Sequence, residues 1–112
     1  MKVIIKRPCD QFGEEVTIPN TLKALQETVG GYIETVTLDN GVVLICNEEG
    51  KLRDMPYNFT ARKLIDNNAF GNLYGQFPIF GTVIACGADG DEFADIPIDF
   101  NEWKALLCEW GN

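Results

Sequence analysis

The 112-residue sequence predicts an α+β fold: a single domain with a mostly antiparallel sheet of about five strands and two helices. The expected element order is β-β-α-β-β, an irregular stretch, β, α. Three observations carry this. Asn40-Gly41 stands between two runs rich in β-branched residues, the punctuation of a hairpin. Helical spacing that persists for a whole helix occurs around residues 21–29 and after Asp99. Those helices fall between or after hairpins and do not alternate one-to-one with strands, as a doubly wound parallel sheet would require. At this length one core is expected, and 46% apolar residues are enough to fill it.

The first strand is Met1 to Arg7, built on Val3-Ile4-Ile5 and stopped by Pro8. After a turn over Cys9 to Gly13, Glu15-Val16-Thr17-Ile18 alternates with the period of a half-buried strand until Pro19, so the two strands form a hairpin. Asn20 or Thr21 caps a helix over 21–29, where Leu22, Leu25 and Val29 share a face, and Gly30-Gly31 ends it. Strands 32–38 and 42–46 flank Asn40-Gly41, which suits a type I′ turn. The unbroken Val42-Val43-Leu44-Ile45-Cys46 marks a central strand covered on both faces. Residues 47–75 carry Pro56, Asn67-Asn68, Gly71 and Gly75 and read as irregular, with a helical turn or two at Ala61 to Ile65. Ile79 to Cys86 is again a strand. In the last helix Asp99 and Glu102 have the spacing of a capping box, and Phe100, Trp103, Leu107 and Trp110 line one face.

The chemistry that the composition excludes is broad. The chain has no histidine, which removes Ser-His and Cys-His nucleophilic pairs and every histidine-containing metal site. Cys9, Cys46, Cys86 and Cys108 have no Cys-x-x-Cys spacing and are expected to be free, mostly buried thiols, with Cys9 the most exposed. A net charge of −8 opposes binding to a nucleic-acid backbone, which depends on Lys and Arg displacing counterions. No apolar run has the length of a signal-peptide core or a membrane helix, so an intracellular, soluble protein is expected.

Charge is unevenly placed. Residues 1–81 hold ten acids and eight bases, whereas 82–112 hold seven acids against Lys104 alone. In "CGADGDEFADIPIDFNEW", residues 86–103, the spacing fails as a calcium loop because Phe93, Ala94 and Phe100 occupy ligand and glycine positions. Asp99 and Glu102 belong to the helix cap. Asp89, Asp91, Glu92 and Asp95 remain without a structural duty. They form either a solubilising loop pinned by Phe93, Ile96 and Ile98 or a face for a basic partner.

Two other groups are candidates. Asn47, Glu48, Glu49 and Lys51 follow the central strand, and strand ends are where sites are often built; the alternative is a polar turn closed by Gly50. Arg62-Lys63 lies among Tyr57, Phe59, Phe70 and Tyr74, which suits stacking of a nucleobase beside a phosphate, or simply core packing.

The stretch "TLKALQETVGGYIETVTLDNGVVLICNEEGKL", then "MPYN", "GTVIACGADGDEFADIP" and the Trp-containing terminal helix, resembles the domain of unknown function numbered 3846, from about Thr21 to Asn112. Its most specific pieces here are Gly30 to Glu34 and Cys46 to Leu52. The resemblance implies a small protein of gut Firmicutes, their phages or conjugative elements, in the bacterial cytoplasm, and no established activity. It also implies that the acidic tail is part of the fold. Many members have arginine directly after the asparagine equivalent to Asn58; Phe59 stands there in this chain, with Arg62 as a substitute.

The leading expectation is a non-enzymatic binding protein of a phage or mobile element, such as a host-defence inhibitor, whose Asp89, Asp91, Glu92 and Asp95 face meets a basic protein surface. The alternative is a small-ligand, nucleotide-like binder or weak enzyme using Tyr32, Asn47, Glu48, Glu49, Lys51, Asn58 and Arg62. A third is a structural subunit. No cofactor, metal or membrane partner is expected, and the pattern specifies no oligomeric state.

Overall fold

A computed structural model describes residues 1–111, with the backbone alone described at residues 66–68. The strands are β1 (Lys2–Lys6), β2 (Glu14–Thr17), β3 (Ile33–Thr37), β4 (Val43–Asn47), β5 (Tyr57–Asn68), β6 (Gly71–Phe80), β7 (Val83–Asp89) and β8 (Glu92–Ala94); the helices are α1 (Leu22–Val29) and α2 (Phe100–Glu109). The main sheet runs β2-β1-β7-β4-β3, with β8 paired to the end of β7, and β5–β6 form a second, two-stranded sheet. Every pairing is antiparallel. The α+β class and the two helices stand, but among the described residues the strands number eight.

Alternation along the central strands sorts their side chains onto two faces. Val3, Ile5, Val43, Ile45, Ile84 and Cys86 pack against Leu25 and Val29 of α1. Ile4, Leu44, Cys46, Val83 and Ala85 pack on the opposite face against Phe59 and Ile79 of the β5–β6 arm and Trp103 and Leu107 of α2. All five residues of β4 are buried, which is why its sequence is apolar without alternation. Among the described residues no helix is long and apolar enough to cross a membrane.

Both helix caps follow local chemistry. The Thr21 side chain accepts from the Ala24 N–H, and Gly30 ends α1 in the left-handed region at φ 82°. At α2 the Asp99 carboxylate accepts from the Glu102 N–H at 2.8 Å while Glu102 accepts from the Asp99 N–H at 3.4 Å, the reciprocal box expected from the spacing.

Four expectations change. The β3–β4 connection has three residues, 39–41, since Leu38 and Val42 still pair (N···O 2.7 Å) and only Gly41, at φ 85°, takes positive φ. That is a type I turn closed by a left-handed glycine, not type I′. The 47–75 stretch is not irregular beyond Pro56: 57–80 is a long hairpin, and Ala61–Ile65 is strand, not helix. Two register shifts, at Tyr57/Phe59 and Leu64/Asp66, break the alternation that would announce β5. Gly75 and Pro78 are tolerated in β6 because it pairs on one side only within its sheet. The expected strand 79–86 is cut by Gly81 at φ 80°, so Ile79 and Phe80 finish β6 and β7 begins at Val83. Finally, the acidic stretch is no loop. β7 and β8 pair Asp89 with Glu92 across Gly90-Asp91, with Gly90 at φ 62°.

Candidate functional site

The carboxyl end of β4 is fixed by a buried amide. Asn47 Nδ2 donates to the Val29 carbonyl at the end of α1 (3.1 Å), and its Oδ1 accepts from the Glu49 N–H (2.8 Å). One side chain thereby ties helix, strand and turn together. Gly31 passes so close that a Cβ there would lie 2.9 Å from Asn47 Nδ2 and 3.3 Å from Arg53 Nη1. Arg53 Nη1 reaches the Gly30 carbonyl at 3.3 Å. The result is a cavity of about 230 Å³ lined by Gln26, Gly31, Tyr32, Asn47, Glu49 and Arg53.

Three of the seven expected ligand residues, Tyr32, Asn47 and Glu49, therefore converge. Glu48 and Lys51 are exposed and lie outside this lining; the Glu48 N–H extends the β3–β4 ladder to the Tyr32 carbonyl at 2.9 Å. Sequence reading missed Gln26, Gly31 and Arg53. Gly30-Gly31 is a helix stop, as expected, and the second glycine also leaves room for the Asn47 and Arg53 side chains that line the cavity.

Asn58 belongs elsewhere. It is buried, its Nδ2 donating to the Lys6 carbonyl (3.0 Å) and the Gly81 carbonyl (2.8 Å), while its Oδ1 accepts from Lys6 Nζ. Lys6 is buried beside it, 5.5 Å from the Phe59 ring centroid. Burial lowers its ammonium pKa below 10.5, against a smaller opposing pull from Asp10 and Cys9. Asn58 is thus a structural clamp. Arg62 lies over Tyr74 at 5.2 Å and lines a separate groove of about 300 Å³ with Asp39 and Trp110. The interleaved aromatics form no common platform: Phe59 is core, stacked on Trp110, and Tyr57 meets Phe80 edge-on.

At the other end of the central strands, Asp89, Asp91 and Glu92 are exposed around the β7–β8 turn, with Phe93 half-buried and Ile96 buried beneath. Asp95 has a duty after all, since its Oδ1 accepts from the Lys2 N–H at 2.7 Å and the Ile96 N–H pairs with the Lys2 carbonyl at 2.9 Å. Among the described residues the ion pairs join Lys2 to Glu15, Arg7 to Asp10 and Glu14, and Lys23 to Glu27; none reaches an acid of the β7–β8 hairpin.

All four thiols are free. Cys46 and Cys86 are buried, which pushes their pKa values up to about 11 and about 12, Glu34 adding to the shift at Cys46. Cys108, expected inside with Leu106 and Leu107, is exposed because it falls on the solvent side of α2. Iodoacetamide near neutral pH should modify Cys9 and Cys108 in the native protein and all four after unfolding, read by intact mass. Fast native labelling at Cys46 or Cys86 would contradict the packing described above. Among the described residues, no three Cys, Asp or Glu side chains gather to ligate one metal ion.

No curated protein and no solved structure matches the chain. The family model described as Domain of unknown function (DUF3846) matches residues 1–107, so it takes in β1 and β2 as well as the part from Thr21 onward, and the chain belongs to that family.

Proposed function

We propose that this member of the family is a binding protein that works without catalysis and that its contact surface is the β7–β8 hairpin, presented to a basic surface on another protein. The observation that carries this is the set Asp89, Asp91 and Glu92: exposed, in no ion pair among the described residues, and held on a paired hairpin backed by buried Ile96. A solvated charge run needs no such scaffold. Uncompensated charge on a rigid support accelerates encounter with an oppositely charged surface and selects against acidic ones. The excess of six negative charges in residues 82–112 supports the same reading.

In its specific form, the hairpin carboxylates stand in for phosphates and occupy the nucleic-acid-binding surface of a host protein. That suits an inhibitor carried by a phage or mobile element and acting in the cytoplasm of a Firmicute host; the setting rests on the family resemblance.

The test is the variant Asp89→Asn/Asp91→Asn/Glu92→Gln. Asp95 is left alone because it holds the Lys2 N–H. A partner captured by the native protein from lysate of the encoding bacterium should be released by high salt, and the triple variant should bind it about tenfold more weakly or worse. Its unfolding midpoint should stay unchanged. Undiminished capture by a folded triple variant overturns the reading.

A further inference from the structure

The cavity between α1 and the end of β4 lies at the other end of the central strand from the acidic hairpin. Val43, the first residue of β4, pairs with Cys86, beyond which β7 runs on toward Asp89, whereas Asn47 is the last residue of β4. Nothing in the binding surface proposed above uses it.

Its walls carry one charge of each sign. Arg53 and Glu49 both line the cavity, and neither side chain makes an ion pair within 4 Å among the described residues. Opposite charges that share a small cavity without meeting each other are left to be met by something else. Arg53 spends one N–H of its fork on the Gly30 carbonyl, which fixes the head and leaves further donors free. Beside it, Asn47 spends one Nδ2 hydrogen on the Val29 carbonyl and keeps the second. Gly31 passes so close to both nitrogens that a Cβ there would collide with Asn47 Nδ2.

Glu49 supplies the negative charge of the lining, and a cation suits it. Tyr32, 69% exposed, supplies an outer aromatic edge. At about 230 Å³ the space is below the range of about 300–1,000 Å³ typical of drug-sized ligands, so a dinucleotide or a flavin does not fit.

We propose that this cavity binds a small zwitterion of the α-amino-acid class. The carboxylate lies against the free donors of Arg53 and Asn47, and the ammonium lies against Glu49. The side chain of the ligand points toward Tyr32 and Gln26.

The experiment is chemical-shift mapping on the ¹⁵N-labelled full chain, titrated separately with each of the common amino acids and with propionate and ethylamine as half-ligands. At least one amino acid should shift the amides of Gly31, Tyr32, Glu49 and Arg53 saturably, with each half-ligand binding about tenfold more weakly or worse. Arg53→Gln and Glu49→Gln, both at exposed positions, should each weaken that amino acid about tenfold while leaving the rest of the spectrum unchanged. Three outcomes overturn the proposal: no amino acid shifts these amides, propionate or ethylamine binds as tightly as the zwitterion, or the Arg53 and Glu49 variants bind undiminished. None of these bears on the acidic hairpin, whose own test is capture of a basic partner.

Discussion

Asn58→Leu should destabilise the protein by about 3–5 kcal/mol, the range for stripping a buried charge of its partner. Leucine has the same number of side-chain heavy atoms, branched at the same carbon, so most of the loss is chemical. The amide of Asn58 uses both Nδ2 hydrogens on the carbonyls of Lys6 and Gly81 and its oxygen on Lys6 Nζ. Without it two buried carbonyls lose their donor and, among the described residues, a buried ammonium is left with the long Arg7 carbonyl contact at 3.5 Å and the Phe59 ring. Lys6→Met in the Asn58→Leu background should recover part of the loss by removing the stranded charge, and denaturant titrations of the four proteins in this cycle measure the coupling. A simple sum of the two single effects would mean that the residues act independently.

The pH dependence of Lys6 has a definite sign. Its folded pKa is below the ordinary 10.5 because burial penalises the ammonium. Between the folded pKa and 10.5 the unfolded chain binds more protons than the folded one, so this group favours folding increasingly as pH rises through that window. Below the folded pKa the desolvation penalty is present in full. Relative to Lys6→Met, the native protein should therefore gain stability on going from neutral pH into the alkaline window. A constant difference across that range would show that Lys6 titrates as in the unfolded chain.

Trp103→Ala should cost about 3–5 kcal/mol, as truncation of a buried aromatic does. Trp103 is fully buried, meets Phe59 edge-on at 6.1 Å between centroids, and donates from Nε1 to the Phe12 carbonyl at 2.8 Å. It joins three parts of the chain, namely α2, the β5–β6 arm and the loop before β2. Trp103→Phe keeps most of the ring packing and forfeits the hydrogen bond, so its loss should be about 1–3 kcal/mol. Trp110 remains as the fluorescent reporter in both variants. Equal losses for Ala and Phe would assign the effect to the hydrogen bond and contradict a packing role.

What the sequence disclosed was local. The unbroken apolar run of β4 follows from burial on both faces, and the Asp99–Glu102 box and the Thr21 cap follow from groups three residues apart. The β5–β6 arm was hidden because two bulges destroy the alternation that marks a strand, and because Asn, Gly and Pro serve equally in a loop and in an edge hairpin. Asn58 looked like a binding residue because its partner is 52 positions away. The same distance problem concealed the duty of Asp95, 93 positions from Lys2. At the cavity, Tyr32, Asn47 and Glu49 were recognisable as polar or aromatic groups near a strand end. Arg53 was not, because it reaches the site through a turn in which its N–H donates to the Glu49 carbonyl at 2.9 Å, a fold-back that no local pattern announces.

The order β2-β1-β7-β4-β3 also sets a timetable for synthesis. The β1–β2 and β3–β4 hairpins are each local, but they have no edge in common; the strand between them is β7, which begins at residue 83. A nascent chain that has left the ribosome through Phe80 therefore exposes two half-sheets whose apolar faces await a strand still being made. Hairpins that cannot join early make folding late and long-range, with the slow closure expected of non-local pairing. The sheet is completed last at its centre, and a ribosome stalled before Val83 would carry two half-sheets without the strand that joins them.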